Sequence, residues 1–259
     1  MKAWKLGLGA LGLAWGLAAV WGYDVVADVD PSRMSQLPSP GHPLGTDHLG
    51  RDVAARLVLA THAFVAPGLT AAAGALALGL PLGALAGSLS GWGRVLRGLW
   101  GVLDAIPGLI LALLFCLVWG DGPWRLALAV GLSGAASVAE AVRGRVQGLA
   151  RSDFILAARA HGYGWLDILF RQILWACCRR LALRAGLRVF GTFLALECTL
   201  SYLGGFGVPE PTPSWGNMIA FSFGQAGNPL APWAPALALG ATLAALHAAS
   251  GALEGPDRG

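Results

Sequence analysis

The chain alternates between long apolar stretches and short polar connections. A bilayer core about 30 Å thick takes about 20 apolar residues in a helix. Six stretches meet or approach that length: residues 4–23, 63–89, 98–119, 124–142, 185–203 and 231–249. Pro67 and Pro81 fall inside the second and Pro107 inside the third. A membrane helix tolerates such prolines when neighbouring helices satisfy the freed backbone groups, so the pattern predicts a packed helical bundle. Residues 4–23 have the lysine flank of a secretory signal, but the stretch is long for one and Asp24-Val25-Val26 is a poor cleavage site. It reads as a retained span.

Three polar connections add detail. Between the fourth and fifth spans, residues 143–184 hold eight arginines. Ser152 or Asp153 can cap a short helix over 154–161, which Gly162 and Gly164 can end and turn. A second amphipathic helix over 165–178, with Ile168, Leu169, Ile173 and Leu174 near helical spacing, then leads back to the membrane. Such a knob suits docking into a groove on a soluble partner or lying on anionic lipid. In residues 206–228, Pro209, Pro211 and Pro213 exclude regular helix and predict a semi-rigid loop with Trp215 as an interfacial anchor. Ahead of the second span, Thr46 or Asp47 can cap a helix carrying Leu49, Val53 and Leu57 flat on the membrane. His48 and Asp52 would share a face of that helix.

Composition narrows the class. Hydrophobic residues make up 56% of the chain and charged ones 12%, against about 25% charged in soluble domains. This excludes a disordered chain, a nucleic-acid-binding domain and an ordinary soluble enzyme. The only lysines are Lys2 and Lys5, so no P-loop lysine is available to reach a nucleotide's phosphates. Cys116, Cys177, Cys178 and Cys198 have the spacing of neither a zinc site nor a disulfide framework. No catalytic residue, cofactor or metal ligand is predicted.

Charge distribution predicts sidedness. With the N-terminus in the cytoplasm, Lys2, Lys5, Arg94, Arg97, Arg258 and the arginines of residues 143–184 are cytoplasmic, and so is the C-terminus. Arg33, Arg51, Arg56 and Arg125 lie outside, with Asp24, Asp28, Asp30, Asp47, Asp52, Asp121 and Glu210. Arg188, one turn into the fifth span, can snorkel to the interface. Glu197 is deep in that span, where an ionisable group faces a pathway or subunit contact, or hydrogen-bonds within the bundle. Glu140 is placed to pair with Arg143.

Gly131-Leu-Ser-Gly134 with His247 has the elements of a rhomboid-like intramembrane serine protease. In the predicted spans Ser133 and His247 differ in depth by about 10 Å, whereas nucleophile and base must approach within about 3 Å. The small residues read instead as a helix-packing surface. An ATP-independent secondary transporter would need more buried charge than Glu197 supplies.

Four segments, in order from His42 to Asn217, resemble one family. Leu156-Ala-Ala-Arg-Ala-His-Gly162, followed by Ile173-Leu174, is similar to the EAA loop of binding-protein-dependent ABC importer permeases. Leu156 stands where that motif has Glu, and Trp175 where it has Pro. His42-Pro-Leu-Gly-Thr-Asp-His-Leu-Gly-Arg-Asp52 is similar to the signature of the dipeptide, oligopeptide and nickel branch (DppC/OppC/NikC-like). Asp104-Ala-Ile-Pro-Gly-Leu and the run from Leu196 through Pro211-Thr-Pro-Ser-Trp-Gly-Asn217 resemble further parts of the same subunit.

The resemblance implies an all-α membrane protein of the type I, MetI-like permease fold, with six transmembrane helices, in a bacterial inner membrane. Residues 1–62 would hold the first helix and an extracytoplasmic segment, 63–252 a five-helix permease core, and 253–259 a tail. The subunit would pair with a second homologous permease, two cytoplasmic ATPase subunits and an extracytoplasmic binding protein, carrying peptides, nickel or a metal chelate. Asp153, Leu156, Ala157, Ala158, Gly162, Ile173 and Leu174 would couple to the ATPase. His42, Gly45, Thr46, Asp47, Gly50, Arg51 and Asp52 would form the outer signature, and Glu197 and Trp215 would be at a pathway or interface.

Overall fold

The computed structural model describes residues 29–88, 106–149, 152–164, 178–204, 206–224 and 227–253, with isolated positions at 98, 100, 101, 167 and 168. The expected first span, Asp104, Ile173, Leu174 and Trp175 lie outside the described residues. Regular structure among the described residues is helical, with isolated bridges Ser39–His42 and Thr46–Asp52 in the segment before the first long helix.

That helix, α1, runs Val53–Ser88 over 36 residues without a break at Pro67 or Pro81. It begins ten residues before the predicted span, and the division expected between residues 62 and 63 falls inside it. The flat surface helix does not form. Positive φ at Gly45 and Gly50 turns the chain there, and Asp52 caps α1 by accepting from the Ala55 amide at 2.7 Å. Val53 and Leu57 therefore belong to the opening turns of α1.

Helix α2, Gly108–Trp119, starts only after Pro107, whose backbone is extended (φ −53°, ψ 130°). The expected span through Pro107 is thus interrupted there, and 12 residues rise only about 18 Å. Helix α3, Pro123–Leu149, continues past residue 142. Arg143 donates to Glu140 through Nε at 2.8 Å and to Gln147 at 2.7 Å, and pairs at this spacing support the added turns. Helix α4, Asp153–Ala160, is short; α5, Arg179–Leu203, starts six residues early and takes in Arg179, Arg180 and Arg184. Helix α6, Trp215–Ser222, stands where a loop was predicted, and α7 is Leu230–Ala252. By length and apolarity α1, α3 and α7 can cross a membrane. Helix α5 is long enough at 25 residues but carries four arginines and Glu197.

The centre of the bundle is the parallel contact of α1 and α3. Ala71, Ala75, Gly79, Gly83 and Gly87 repeat every four residues on α1 and so share one face. A Cβ on Gly79 would lie 2.6 Å from Val138 Cβ, one on Gly83 2.4 Å from the Ala139 carbonyl oxygen, and one on Gly87 2.7 Å from Val146 Cβ. The two backbones approach as closely as only small residues permit. Around this pair, Phe64, Phe193, Leu194, Leu200 and Val138 are fully buried. The small residues Gly131 and Gly134 of α3 meet Ala71 and Ala75 of α1.

Trp119, Trp124 and Trp233 stand 60%, 57% and 60% exposed. They sit at the end of α2 and the starts of α3 and α7, the helix ends that the charge pattern places outside. Tryptophans at that level form an interfacial belt.

Candidate functional site

At the same end, residues 30–56, 208–217 and 228 form one buried polar knot. Arg51 and Arg56, 3% and 2% exposed, are held by two carboxylates. Arg51 reaches Asp47 through Nε at 2.7 Å and Glu210 through Nη1 at 2.6 Å. Arg56 reaches Glu210 through Nη2 at 2.9 Å and Asp47 through Nε at 3.4 Å. The other Asp47 oxygen accepts from the amides of Leu49 and Arg51, both at 2.9 Å. Buried charges persist when paired in this way; Arg56 Nε meets Asp47 as an ion pair only and has no hydrogen-bond partner among the described residues.

Each outer-signature residue has a place in the knot. His42 Nδ1 lies 2.7 Å from Asp52 Oδ2, which leaves Oδ1 to cap α1. The Thr46 hydroxyl donates to the Arg33 carbonyl and accepts from the Gln36 amide at 2.8 Å. Gly50 has φ +79°, and a Cβ there would lie 1.9 Å from the Asp30 carbonyl oxygen. Gly45 has φ +73°, with Gln36 O at 2.3 Å from its notional Cβ. Asn228 donates to the Leu44 and Thr46 carbonyls at 2.8 and 3.2 Å, tying the start of α7 to the knot.

His48 does not share a helix face with Asp52. Its ring stacks on Phe221 at 5.5 Å between centroids, and its Nδ1 is buried with no hydrogen-bond partner among the described residues. Burial holds this histidine below its ordinary value of 6.5; Asp47 and Glu210 oppose that shift, and Arg51 and Arg56 reinforce it.

Glu197 is wholly buried within the chain. It accepts from the Ser201 hydroxyl at 2.8 Å and from Cys198 Sγ at 3.5 Å. Ser201 in turn accepts from the Val208 amide at 3.0 Å. Both donors to Glu197 lie on α5 itself. Trp215 is no interfacial anchor: it is 2% exposed, packs on Phe64 at 4.6 Å and donates from its indole to the Leu57 carbonyl at 3.1 Å. Sequence reasoning passed over Arg56, Glu210 and Asn228 as site residues. It also missed α6, whose signal is the capping box of Ser214 and Asn217.

On the opposite side of the bundle, α4 forms the first half of the expected knob. Asp153 opens it and Leu156 lies within it. Ile155 is fully buried and Ala158 8% exposed, while Ala157 and Ala160 face outward. Gly162 ends the helix at φ +80°, with open space around its notional Cβ. The Tyr163 amide donates back to the Ala158 carbonyl at 3.2 Å, the closure that a left-handed glycine permits. His161, Gly162, Tyr163 and Gly164 are exposed, and Ile168 is buried beyond them. The Ser152 hydroxyl donates to the Leu149 carbonyl at 2.6 Å.

The protease elements are not assembled. Ser133 donates to the Val130 carbonyl of its own helix at 3.2 Å. His247 lines a cleft between α5 and α7 instead.

Comparison with known proteins agrees with this architecture. Residues 79–253 match the family described as "Binding-protein-dependent transport system inner membrane component". The glutathione transport system permease protein GsiD of Pectobacterium atrosepticum is 33% identical over 198 residues, 76% of this chain and 65% of that protein. The dipeptide transport system permease protein DppC of Alkalihalophilus pseudofirmus is 31% identical over 197 residues, 76% of this chain and 64% of its own. GsiD of Escherichia coli O157:H7 is 33% identical over 198 residues, again 76% and 65%. The match thus spans just under two thirds of these relatives' length.

Proposed function

Because the chain belongs to the family of binding-protein-dependent transport system inner membrane components, we propose that it is a membrane-spanning subunit of an ATP-driven importer of short peptides. The observation that carries this reading is α4 closed by Gly162: a short helix seated on the bundle by Ile155 and Ala158, with an exposed glycine turn at its tip. This shape suits insertion into a groove on a soluble motor.

In this reading the chain has six spans and both termini in the cytoplasm. Four correspond to α1, α3, α5 and α7; residues 4–23 supply one more, and residues 98–119, broken at Pro107, the other. The permease core lies within residues 63–252. A second, homologous permease completes the pathway, two ATPase subunits dock on α4 and the following segment with Ile173 and Leu174, and a binding protein delivers substrate outside. The chain hydrolyses nothing itself. Closure of the ATPase pair moves α4, and the rigid α1–α3 contact carries that movement along the bundle as a tilt. The relatives named for glutathione and dipeptides support short peptides as the cargo. Outside, the knot fixes the mouth on which the binding protein lands.

Replacing Gly162 with Trp tests the coupling role. The left-handed turn would be strained and its tip blocked, so ATPase co-purification and peptide uptake should both fail while membrane insertion persists. Unchanged uptake would refute the docking role.

A further inference from the structure

A cleft of about 570 Å³ opens between α5 and α7, lined among others by Leu187, Arg188, Thr192, Leu243, His247 and Ser250. We propose that it holds the phosphate of an anionic phospholipid from the leaflet that receives the start of α5 and the end of α7.

Three observations meet here. Arg180, Arg184, Arg188 and Thr192 recur every four residues on α5 and form one stripe leading into the cleft. His247 and Ser250 fall in the last turns of α7, about 8 and 3 Å along the axis from its final residue. On α5, Arg180 and Arg184 lie at this same end, and Arg188 and Thr192 follow about 14 and 20 Å along the axis from its first residue, so the stripe runs from the headgroup level into the cleft. The Ser250 residue is 4% exposed and its hydroxyl has no hydrogen-bond partner among the described residues. Buried hydroxyls are nearly always matched, and this one can turn its proton to an acceptor in the cleft.

The rest of the lining selects the ligand class. Arg188 and Thr192 are exposed donors, His247 adds a third, and the described residues of the cleft lining include no carboxylate. Such a set takes an anionic oxygen group. Leu187, Leu243 and Leu246 give an aliphatic wall beside it, which suits an acyl chain continuous with the phosphate. Basic groups at the membrane surface attract anionic lipid in this manner. The inference rests on the span assignment proposed above, in which α5 and α7 cross a bilayer, and not on the motor or the cargo of the importer reading.

The test uses the full chain, purified with whichever subunits accompany it, in phosphatidylcholine nanodiscs containing phosphatidylglycerol. Lipids retained after detergent washing are counted by native mass spectrometry. Phosphatidylglycerol should be retained over phosphatidylcholine, and Arg188→Gln should reduce that retention about fivefold. Arg188→Lys keeps the charge and should retain the lipid, which separates a lost site from a misfolded chain. Arg125→Gln, at the other end of the bundle, should leave retention unchanged. Equal retention of both lipids, or no effect of Arg188→Gln, would overturn the proposal. So would displacement of the lipid by glycerol 3-phosphate or an acidic peptide at low concentration, which would make the cleft a site for soluble anions.

Discussion

Arg51 donates to Glu210 at 2.6 Å across 159 positions of sequence, and Arg56 shares the same carboxylate at 2.9 Å. This one glutamate joins the opening of α1 to the loop before α6. With Asp47 it balances two buried guanidinium groups. Removing it leaves two cations against one carboxylate, and breaking a buried pair costs about 3–5 kcal/mol. Glu210 is a quarter exposed, so Glu210→Ala should cost about 3 kcal/mol, the lower end of that range. Arg51→Lys should also destabilise, because a single ammonium cannot reproduce the fork between Asp47 and Glu210. Thermal unfolding in detergent reads both; a Glu210→Ala midpoint equal to the parent's would show that the knot does not hold this end of the bundle together.

The α1–α3 contact makes a second prediction. Gly83→Val would drive a branched side chain into the Ala139 backbone, 2.4 Å from where its Cβ must sit, with Val142 also close. Overpacking of this kind costs about 1–3 kcal/mol, and more where backbone cannot yield. Gly74→Ala, on the same helix with nothing within 4 Å of its Cβ, should be neutral or gain a few tenths of a kcal/mol from helix propensity. Equal effects of the two would mean that the small-residue stripe does not set the helix separation.

His48 gives a pH dependence with a definite sign. Its folded-state pKa is depressed by burial, so the unfolded chain takes up a proton near 6.5 while the folded ring resists it. Between the two values the unfolded state binds more protons, and stability rises with pH there. The contribution of His48 is therefore complete above about pH 6.5 and is lost as pH falls below it. Protection factors of the amides of Thr46, Asp47 and Arg51, which divide out the slower intrinsic exchange at lower pH, should fall on mild acidification. His48→Gln should flatten that response. A mutant profile as steep as the parent's would assign the dependence to another group.

These features explain which parts of the structure could be read from sequence. The helical character followed from unbroken apolar runs. The α4 turn was legible because its determinants, Ser152 to Gly162, are local, and the Glu140–Arg143 pair because helix spacing alone brings it together. The early start of α1 was not. Arg51, Asp52 and Arg56 look like the polar end of a span, and what lets Arg56 enter the helix buried is Glu210, 154 positions away. Pro209, Pro211 and Pro213 likewise drew attention from the capping box that starts α6 immediately after them. Trp215 looked like an anchor because tryptophan suits both a lipid interface and a core; only the positions of Phe64 and Leu57 decide between them. Helix α2 is the converse case, where Pro107 was read as tolerated and instead marks a start.

Glu197 separates a structural from a transport role. Its carboxylate is enclosed by its own chain and accepts from Ser201, which accepts in turn from the Val208 amide. That chain of bonds fastens the end of α5 to the loop after it. Glu197→Gln keeps the volume and an oxygen for Ser201, so folding and uptake should stay within about twofold of the parent, a change of about 0.4 kcal/mol. Glu197→Leu removes the acceptor and leaves the Ser201 hydroxyl to find another, at about 1–3 kcal/mol. Uptake and thermal stability should then fall together. Loss of uptake in Glu197→Gln with an unchanged melting temperature would place a required charge on the transport path and defeat the structural reading.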